Sequence, residues 1–288
     1  MSWLARWQQK ENLMFDSPHD KPKRADTVAF HSRAVERVIA AIRGRLDETI
    51  SLGEMAAVAY MSRYHFNRTF RQVTGVPPRR FLSALRIEAA TWMLLNTDHK
   101  VTDICLDVGY SSLGTFIRRF SFVLGISPMK LRMLGQGPAR SLPHQKKDNT
   151  LNECAEAEST VGGRVRFSCS FSGPIFIGLF RTPIPEGAPV ACAVSLYSDS
   201  YLLTPVPRGD YYLLAVGLPW PVTMNDYFSY GSALRGGGEL VSVRDHRVEC
   251  QDIWLRAAAP TDPPILLNLP FLLGKIAPGA SLHEEVPA

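Results

Sequence analysis

Two short stretches of this sequence carry arginine, asparagine and tyrosine side chains at spacings that suit contacts to nucleotide bases. Asn67 and Arg68 stand in the first stretch, and Arg118 stands in the second, fifty residues after Arg68. A guanidinium can donate two parallel hydrogen bonds to guanine, and a carboxamide can pair in a similar way with adenine. Tyr64 adds a hydroxyl that can reach a base or a phosphate. These residue types favour recognition of a nucleic acid.

The same residues belong to a helical pattern that occurs twice in the chain. Each copy predicts a short helix, a tight turn and a longer helix that ends at glycine, which is a helix-turn-helix with a basic outer face. The pairs at an offset of 50 are Phe66 with Phe116, Arg68 with Arg118, Phe70 with Phe120, Val73 with Val123, Gly75 with Gly125 and Pro78 with Pro128. Upstream the offset becomes 49, and it pairs Leu52 with Val101, Glu54 with Asp103 and Met55 with Ile104.

Helical spacing separates an apolar side from a polar side in the second helix of the first copy. The apolar side contains Phe66, Phe70 and Val73, and the polar side contains Tyr64, Asn67, Arg68 and Arg71. Ser62 is a good N-cap and Gly75 is a good residue to end the helix. Tyr60 stands where the second copy has Gly109. Because a tyrosine with positive φ is strained, we expect the first turn to depart from the usual geometry of a helix-turn-helix.

A connecting helix is predicted over residues 78–95, where apolar residues recur at helical spacing. Eighteen residues at about 1.5 Å each give a rod of roughly 27 Å. Recognition helices about one DNA turn apart, roughly 34 Å, would face two adjacent major-groove segments on one side of a duplex. The apolar positions are Phe81, Leu82, Leu85, Ala89, Trp92 and Leu95.

Residues 29–134 resemble the DNA-binding domain of the AraC/XylS family of bacterial transcription regulators. The resemblance is carried by Gly75-Val-Pro-Pro78-Arg-Arg-Phe81, Leu85-Arg86-Ile87, Ala90, Leu94-Leu95, Ile104, Val108-Gly109-Tyr110, Phe116, Arg118, Phe120, Gly125, Ser127-Pro128 and Arg132. It implies a regulator of transcription, such as an activator, that binds double-stranded DNA and contacts RNA polymerase. Many family members place this domain last, after a cupin-like sensor, whereas here it comes first, so the ligand rules of those members do not transfer.

The resemblance places Tyr64, Asn67 and Arg68 at positions with which the family contacts bases, although some of these side chains can contact only phosphates instead. In the second copy, Leu113 and Ile117 can contact thymine methyl groups or pack against another part of the protein. The predicted DNA-binding residues are Ser62, Arg63, Tyr64, Asn67, Arg68, Arg71, Ser112, Leu113, Gly114, Ile117 and Arg118.

The distribution of charge supports the same interpretation. Residues 28–134 contain 15 Lys and Arg against 8 Asp and Glu, a net charge of +7, whereas residues 163–288 contain 9 against 11, a net charge of −2. A basic excess in the repeated region is expected of a protein that displaces counterions from phosphates. The amino end has no apolar run long enough for a signal sequence, and no stretch is long enough to span a membrane. We therefore expect a cytoplasmic, nucleoid-associated protein.

Composition along the chain predicts two folded domains. We expect a disordered arm over residues 1–27, the double helix-turn-helix domain over 28–134, a linker over 135–162, a β-sandwich over 163–276 and a tail over 277–288. The sandwich is predicted from short apolar runs that alternate with Pro and Gly, at residues 164–169, 175–180, 190–196, 211–216, 239–243, 252–256 and 265–269. The fold class is thus all-α followed by all-β, with a transthyretin-like or immunoglobulin-like sandwich. A local resemblance to transthyretin-like, carboxypeptidase-regulatory domains covers residues 201–215.

The predicted sandwich is interpreted as a module for binding a small-molecule effector or for forming a homodimer. A long connection over residues 217–238 contains the candidate contact residues Trp220, Met224, Tyr227, Phe228 and Tyr230. Packing of these side chains over the end of the sandwich is the alternative to a ligand contact.

Two alternative functions were weighed against transcription regulation. An enzyme delivered to DNA would need a reactive cysteine among basic or His neighbours, and no such motif, metal-ligand cluster or catalytic triad occurs, so we expect no catalytic residues, metal or cofactor. A redox-responsive regulator would use the cysteines of the carboxy-terminal region. The five cysteines are an odd number without a C-x-x-C pair: Cys105, Cys154, Cys169, Cys192 and Cys250. Cys105 is predicted to be a core residue.

Overall fold

A computed structural model describes residues 21–136, 159–195, 199–220, 233–244 and 248–266. Within these ranges a helical region is followed by a β-rich region, as the sequence predicts. The helices are α1 (Lys21–Arg43), α2 (Leu52–Val58), α3 (Arg63–Thr74), α4 (Pro78–Asn96), α5 (Val101–Asp107), α6 (Leu113–Leu124) and α7 (Pro128–Gln136). Helix α1 begins at Lys21, so residues 21–27 are helical and the prediction that they belong to a disordered arm is wrong.

The helices α2 with α3 and α5 with α6 form the two predicted helix-turn-helix units. Their ends follow the predicted capping residues. Ser62 Oγ accepts a hydrogen bond from the His65 amide at 3.4 Å, and Ser112 Oγ accepts one from the Thr115 amide at 3.4 Å. Gly75 and Gly125 end α3 and α6 with φ of 78° and 74°, a left-handed conformation that costs glycine little.

The turn of the first unit does not depart from that of the second, and our expectation for Tyr60 is wrong. Tyr60 has φ of 57° and Gly109 has φ of 80°, so both residues are left-handed. The Tyr60 ring projects from the surface with 88% of its area exposed, and the Arg37 guanidinium lies 6.0 Å from the ring centroid. The repeated fold therefore imposes a conformation that costs a tyrosine about 1–2 kcal/mol.

The helical core is built from the apolar residues that the repeat shares. In the first unit the rings of Phe66 and Phe70 lie 5.5 Å apart, and Phe70 meets Phe81 of α4 edge-on at 5.4 Å. In the second unit Phe116 and Phe120 lie 5.6 Å apart. All five rings are fully buried, and each aromatic pair contributes about 0.5–1.5 kcal/mol beyond its buried area. The first unit thus packs against the connecting helix α4 through Phe81.

Arg86 and Arg132 donate hydrogen bonds to backbone carbonyl groups in the segments that follow α1 and α4. Arg86 donates to the carbonyl oxygens of Leu46 at 3.1 Å and Glu48 at 2.7 Å, after the end of α1. Arg132 donates to the carbonyl of His99 at 2.6 Å, just beyond α4. Burial lowers the pKa of Arg86. These hydrogen bonds tie the segments that follow α1 and α4 to Arg86 of α4 and Arg132 of α7.

The described part of the β-rich region contains eight strands, seven of which follow one hydrogen-bonded order. They are β1 (Thr160–Phe167), β2 (Ile175–Phe180), β3 (Ala191–Ser195), β4 (Ser200–Leu203), β5 (Gly209–Gly217), β6 (Leu234–Val243), β7 (Val248–Cys250) and β8 (Ile253–Ala257). The order is β3-β2-β5-β6-β8-β1-β4, and β7 pairs with β1. Strands β3 and β4, at the two ends of this order, contact each other. The pairs β1–β7 and β1–β8 are parallel and the others are antiparallel.

Several predicted boundaries in this region need correction. Strand β1 begins at Thr160, so residues 160–162 belong to the sheet and not to the linker. Strand β4 lies at the start of residues 201–215, where the local resemblance implies a strand followed by a tight turn. Strand β7 was not predicted, because a segment of three residues is too short to show alternation. Ile265 and Leu266 are buried but not in a strand, and residues 267–269 lie outside the described ranges.

The β-rich region packs directly against the helices through the loop between β2 and β3, residues 181–190. Glu186 of this loop forms ion pairs with Arg80 of α4 at 3.2 Å and Arg119 of α6 at 2.8 Å. The Gly187 amide donates to the Val123 carbonyl of α6 at 3.1 Å. Ile184 is fully buried in the same apolar cluster as the helical core. The two regions therefore share an apolar core. Most of the predicted linker, residues 137–158, lies outside the described ranges.

Candidate nucleic-acid interface

Helix α3 presents the predicted polar residues on its outer side. Its buried positions are Phe66, Thr69, Phe70 and Thr74. Tyr64 is 85% exposed, and the remaining predicted contact residues of this unit are also exposed: Ser62, Arg63, Asn67, Arg68 and Arg71. The alternation follows from helical spacing, since residues three and four apart share a face. The structure thus groups all six side chains of the first predicted set on one solvent-facing surface.

Helix α6 presents the second predicted set. Ser112, Gly114 and Arg118 are exposed, and Leu113 and Ile117 expose 38% and 37% of their areas. More than half of each apolar side chain is covered by the described part of the protein and the rest faces solvent, so packing and contact with DNA both stay open for Leu113 and Ile117. Their contact with thymine methyl groups stays a prediction, as does DNA contact by the whole set.

The arginines on the outer faces of α3 and α6 lack carboxylate partners within the described ranges, whereas the neighbouring Arg119 has one. Within the described ranges Arg63, Arg68, Arg71 and Arg118 form no ion pair and donate no side-chain hydrogen bond. By contrast, Arg119 is paired with Glu186 and also donates to Ser83 Oγ at 3.3 Å. The guanidiniums of the outer faces are therefore available to phosphates and bases, whereas that of Arg119 serves the interior contact.

Sequence reasoning missed Glu186 and its two arginine partners. Glu186 lies between prolines in a loop with no periodicity, and its side chain is only 3% exposed. Arg80 and Arg119 occur in basic clusters that look like ordinary solvated surface. An isolated carboxylate with no local partner is a weak signal, and its role depends on residues 67 and 106 positions away.

The candidate effector residues fall largely outside the described ranges. Met224, Tyr227, Phe228 and Tyr230 lie there, and only Trp220 is described. Trp220 is half-buried, donates its amide to the Ser172 carbonyl at 3.1 Å and packs against the apolar cluster shared with the helices. Trp220 therefore packs against the protein, which is the alternative to a ligand contact that the sequence left open.

The cysteines occupy different environments. Cys105 is buried, as predicted, and burial raises the pKa of its thiol. Cys169 and Cys250 are exposed, Cys192 is half-buried, and Cys154 lies outside the described ranges. Among the residues that the structure describes, no group of His, Cys, Asp or Glu is arranged to bind a metal ion. Across those same ranges no helix is long and apolar enough to cross a membrane.

Comparison with known proteins places this interface in a family. A helix-turn-helix domain model matches residues 55–133. The chain is 32% identical over 108 residues to the HTH-type transcriptional activator AarP of Providencia stuartii, a match that covers 38% of this chain and 80% of AarP. It is 29% identical over 107 residues to the TetD protein of transposon Tn10 from Escherichia coli, covering 37% of this chain and 78% of TetD.

Among solved structures, the DNA-binding domain of AdpA in complex with a target DNA matches 35% of this chain and 90% of that chain, at 32% identity and a TM-score of 0.34. An AraC-type transcriptional regulator from Chromobacterium violaceum matches 37% of this chain and 95% of that chain, at 24% identity and a TM-score of 0.35. Because the chain contains the duplicated helix-turn-helix motif and matches 80% of AarP at 32% identity, it belongs to the AraC family of helix-turn-helix transcription regulators.

Proposed function

We propose that this protein regulates transcription by binding a specific double-stranded DNA sequence with both helix-turn-helix units. The observation that carries the proposal is the pair of exposed outer faces on α3 and α6, each with an arginine that forms no ion pair within the described ranges. Helix α4 joins the units, and its 19 residues span about 28 Å. That length suits two recognition helices in adjacent major-groove segments on one face of the duplex.

The net charge of the helical region favours the same role. A net charge of +7 over residues 28–134 attracts the phosphate backbone, and each neutralised phosphate releases condensed counterion. The affinity for DNA should then fall steeply as salt rises. Binding of the full chain to a genomic site, measured by fluorescence anisotropy across a salt series, tests this. An affinity that is equal at low and high salt contradicts DNA binding by these faces.

The proposed role is activation of transcription, with RNA polymerase as a further partner. AarP is named as an activator, which supports activation as the direction for this chain. RNA polymerase is the protein partner that the family resemblance implies for an activator. We place the protein in the cytoplasm at the nucleoid, as its DNA target requires.

The β-rich region is proposed to bind an effector or to mediate dimerisation, within a sandwich of transthyretin-like or immunoglobulin-like type. The net charge of −2 over residues 163–288 argues against a large part in DNA affinity. Its direct contact with α4 and α6 through Glu186 means that its state can alter the recognition helices. Sedimentation of the full chain with and without DNA distinguishes a dimer from a monomer.

The alternative of a redox-responsive regulator rests on the exposed thiols Cys169 and Cys250. Exposed thiolates are the cysteines most open to oxidation. Mass spectrometry after mild peroxide decides this alternative, because only a sensor yields one defined disulfide. A DNA-delivered enzyme is not proposed, because the similar protein AarP is named as a transcriptional activator.

A further inference from the structure

The turn of the first helix-turn-helix unit holds a tyrosine for which folding stability gives little reason. Tyr60 has φ of 57°, and 88% of its area is exposed. A left-handed conformation strains a residue that carries a Cβ, and an exposed ring gains almost nothing from burial. Gly109, the equivalent residue of the second unit, takes the same conformation without that strain. A strained backbone that packing does not reward is a reason to ask what the side chain binds.

The conformation of Tyr60 is fixed by the hydrogen bonds that end α2. The Tyr60 amide donates to the Ala57 carbonyl at 3.0 Å, and the Met61 amide donates to the Ala56 carbonyl at 2.9 Å. The second unit repeats both bonds at its own turn. This arrangement at the end of a helix requires one left-handed residue. The exposed ring of Tyr60 is therefore attached to a rigid turn.

The position of Tyr60 is at the edge of the candidate DNA interface. It precedes Ser62, the N-cap of α3, by two residues, which span at most about 7 Å. In a helix-turn-helix, the first residues of the recognition helix contact base edges, and the preceding helix crosses the phosphate backbone. Tyr60 stands between these two helices. The major groove is about 12 Å wide, so a duplex that receives the start of α3 brings its backbone close to this ring.

A cation lies beside the same ring. The guanidinium carbon of Arg37, from α1, is 6.0 Å from the centroid of the Tyr60 ring. Helix α1 lies against the start of α3, where the rings of His31 and His65 are 5.6 Å apart. Arg37 is exposed, and within the described ranges it forms no ion pair and donates no side-chain hydrogen bond. The Tyr60 hydroxyl likewise has no hydrogen-bond partner in the part of the chain that the structure describes.

We propose that Arg37 and Tyr60 together bind one phosphate of the DNA backbone beside the first recognition helix. This inference rests on the proposed function and adds two residues to its interface. The guanidinium supplies charge-assisted hydrogen bonds, and the phenol hydroxyl donates one more. Contact with the ring restricts the arginine side chain before DNA arrives, so that less conformational entropy is lost on binding.

The role of the pair is to position the first unit in the groove. A phosphate contact carries no sequence information, so it fixes the register of α3 without selecting a base. The second unit has Gly109 at the equivalent place and cannot make the same contact. The pair therefore anchors only one of the two units.

A salt series on the full chain tests the charge of the contact. Arg37→Gln should weaken binding about fivefold or more, equally for a bound genomic site and for a duplex of unrelated sequence. It should also reduce the slope of log affinity against log salt by about 0.9. Tyr60→Phe should weaken binding about twofold to fivefold and leave the slope unchanged, because a hydroxyl displaces no counterion.

The matched control is Arg43→Gln. It removes the same charge from the same helix, at an exposed arginine that is already paired with Glu88 at 3.0 Å. Its affinity for DNA should change less than about twofold. Thermal unfolding establishes that every variant is folded. Tyr60→Asn is a second variant at the turn, because asparagine tolerates left-handed backbone, and it should weaken binding at least as much as Tyr60→Phe.

Uncharged phosphates locate the contact. The phosphates of the genomic-site duplex are replaced one at a time by methylphosphonate, measured by fluorescence anisotropy. One replacement should weaken binding of the wild type about fivefold or more, and the same replacement should change binding of Arg37→Gln by less than about twofold. If every methylphosphonate affects Arg37→Gln as much as the wild type, Arg37 contacts no single phosphate and the proposal is overturned.

The remaining outcomes separate this inference from the proposed function. An unchanged affinity in a folded Arg37→Gln protein overturns the inference and leaves DNA binding by the outer faces intact. A loss of affinity for the genomic site alone means that Arg37 reads a base, which also overturns it. Absence of salt-dependent DNA binding by the wild type overturns the proposed function and this inference together.

Discussion

The carboxylate of Glu186 lies 2.8 Å from the guanidinium of Arg119, and this contact joins the β-rich region to the second recognition helix. The same carboxylate lies 3.2 Å from Arg80 of the connecting helix α4. Its side chain is 3% exposed, whereas the two arginines keep roughly a third of their side-chain area in solvent. A buried carboxylate in this position depends on both cations, because ionised groups are costly to bury without partners.

Replacing Glu186 by glutamine should lower the free energy of unfolding by about 1–3 kcal/mol, since two partly buried guanidiniums lose their counter-charge. Urea unfolding monitored by circular dichroism measures the change. Glu88→Gln is the matched control, because Glu88 pairs with Arg43 at 3.0 Å in a solvent-exposed setting. That surface pair should contribute less than about 1 kcal/mol. Equal effects of the two substitutions contradict the role assigned to Glu186.

Arg68→Ala and Arg118→Ala should each weaken binding to the specific DNA site by about 1–3 kcal/mol and relax the preference at one base pair. Both guanidiniums lie on outer faces and form no ion pair within the described ranges. Arg79→Ala, at the exposed start of α4, should reduce affinity evenly across sequences. A base-by-base binding scan separates these results. If Arg68→Ala lowers affinity and leaves the sequence preference unchanged, its contact is to a phosphate.

The two equivalent turn positions should respond differently to substitution. Tyr60→Gly should change stability by less than about 1 kcal/mol, because relief of left-handed strain is offset by greater freedom of the unfolded chain. Gly109→Ala should cost more than about 2 kcal/mol, because the added Cβ would clash with the Leu46 carbonyl oxygen and with the Arg86 guanidinium. Thermal and urea unfolding of both variants check this. A tolerated Gly109→Ala would show that the backbone there can move away.

Asp252 should make stability depend on pH in the acid range. Its carboxylate accepts a hydrogen bond from the Arg164 amide at 2.9 Å and another from Arg166 Nε at 3.2 Å. These bonds, the first above all, lower the pKa of Asp252 from its ordinary value of 3.8. A lowered pKa means that the stabilisation is present above 3.8 and is lost as pH falls through the lower, folded-state value.

Asp252→Asn should therefore destabilise the protein by about 0.5–1 kcal/mol near neutral pH, a small value because the group is partly exposed. The difference from the wild type should shrink below the ordinary pKa of 3.8. Unfolding free energies measured at several pH values check this. A difference that stays constant into strong acid would mean that the ionised form is not what stabilises the junction of β1 and β8.

The helical half of the protein was predictable from the sequence because its signals are local. Phe66 and Phe116 recur at one offset, and Ser62 and Gly75 bound their helix through contacts within a few residues. The outer faces follow from the same helical period, so the exposure of Arg68 and Arg118 needed no tertiary information. Tyr60 shows the limit, since the packing of the repeated unit overrides the intrinsic preference of a tyrosine against positive φ.

What only the tertiary structure decided is the connection between the two halves. The strand order, the short strand β7 and the pairing of Glu186 with Arg80 and Arg119 all join residues far apart in the chain. Such contacts leave no periodic trace, because each depends on the path of the chain between its partners.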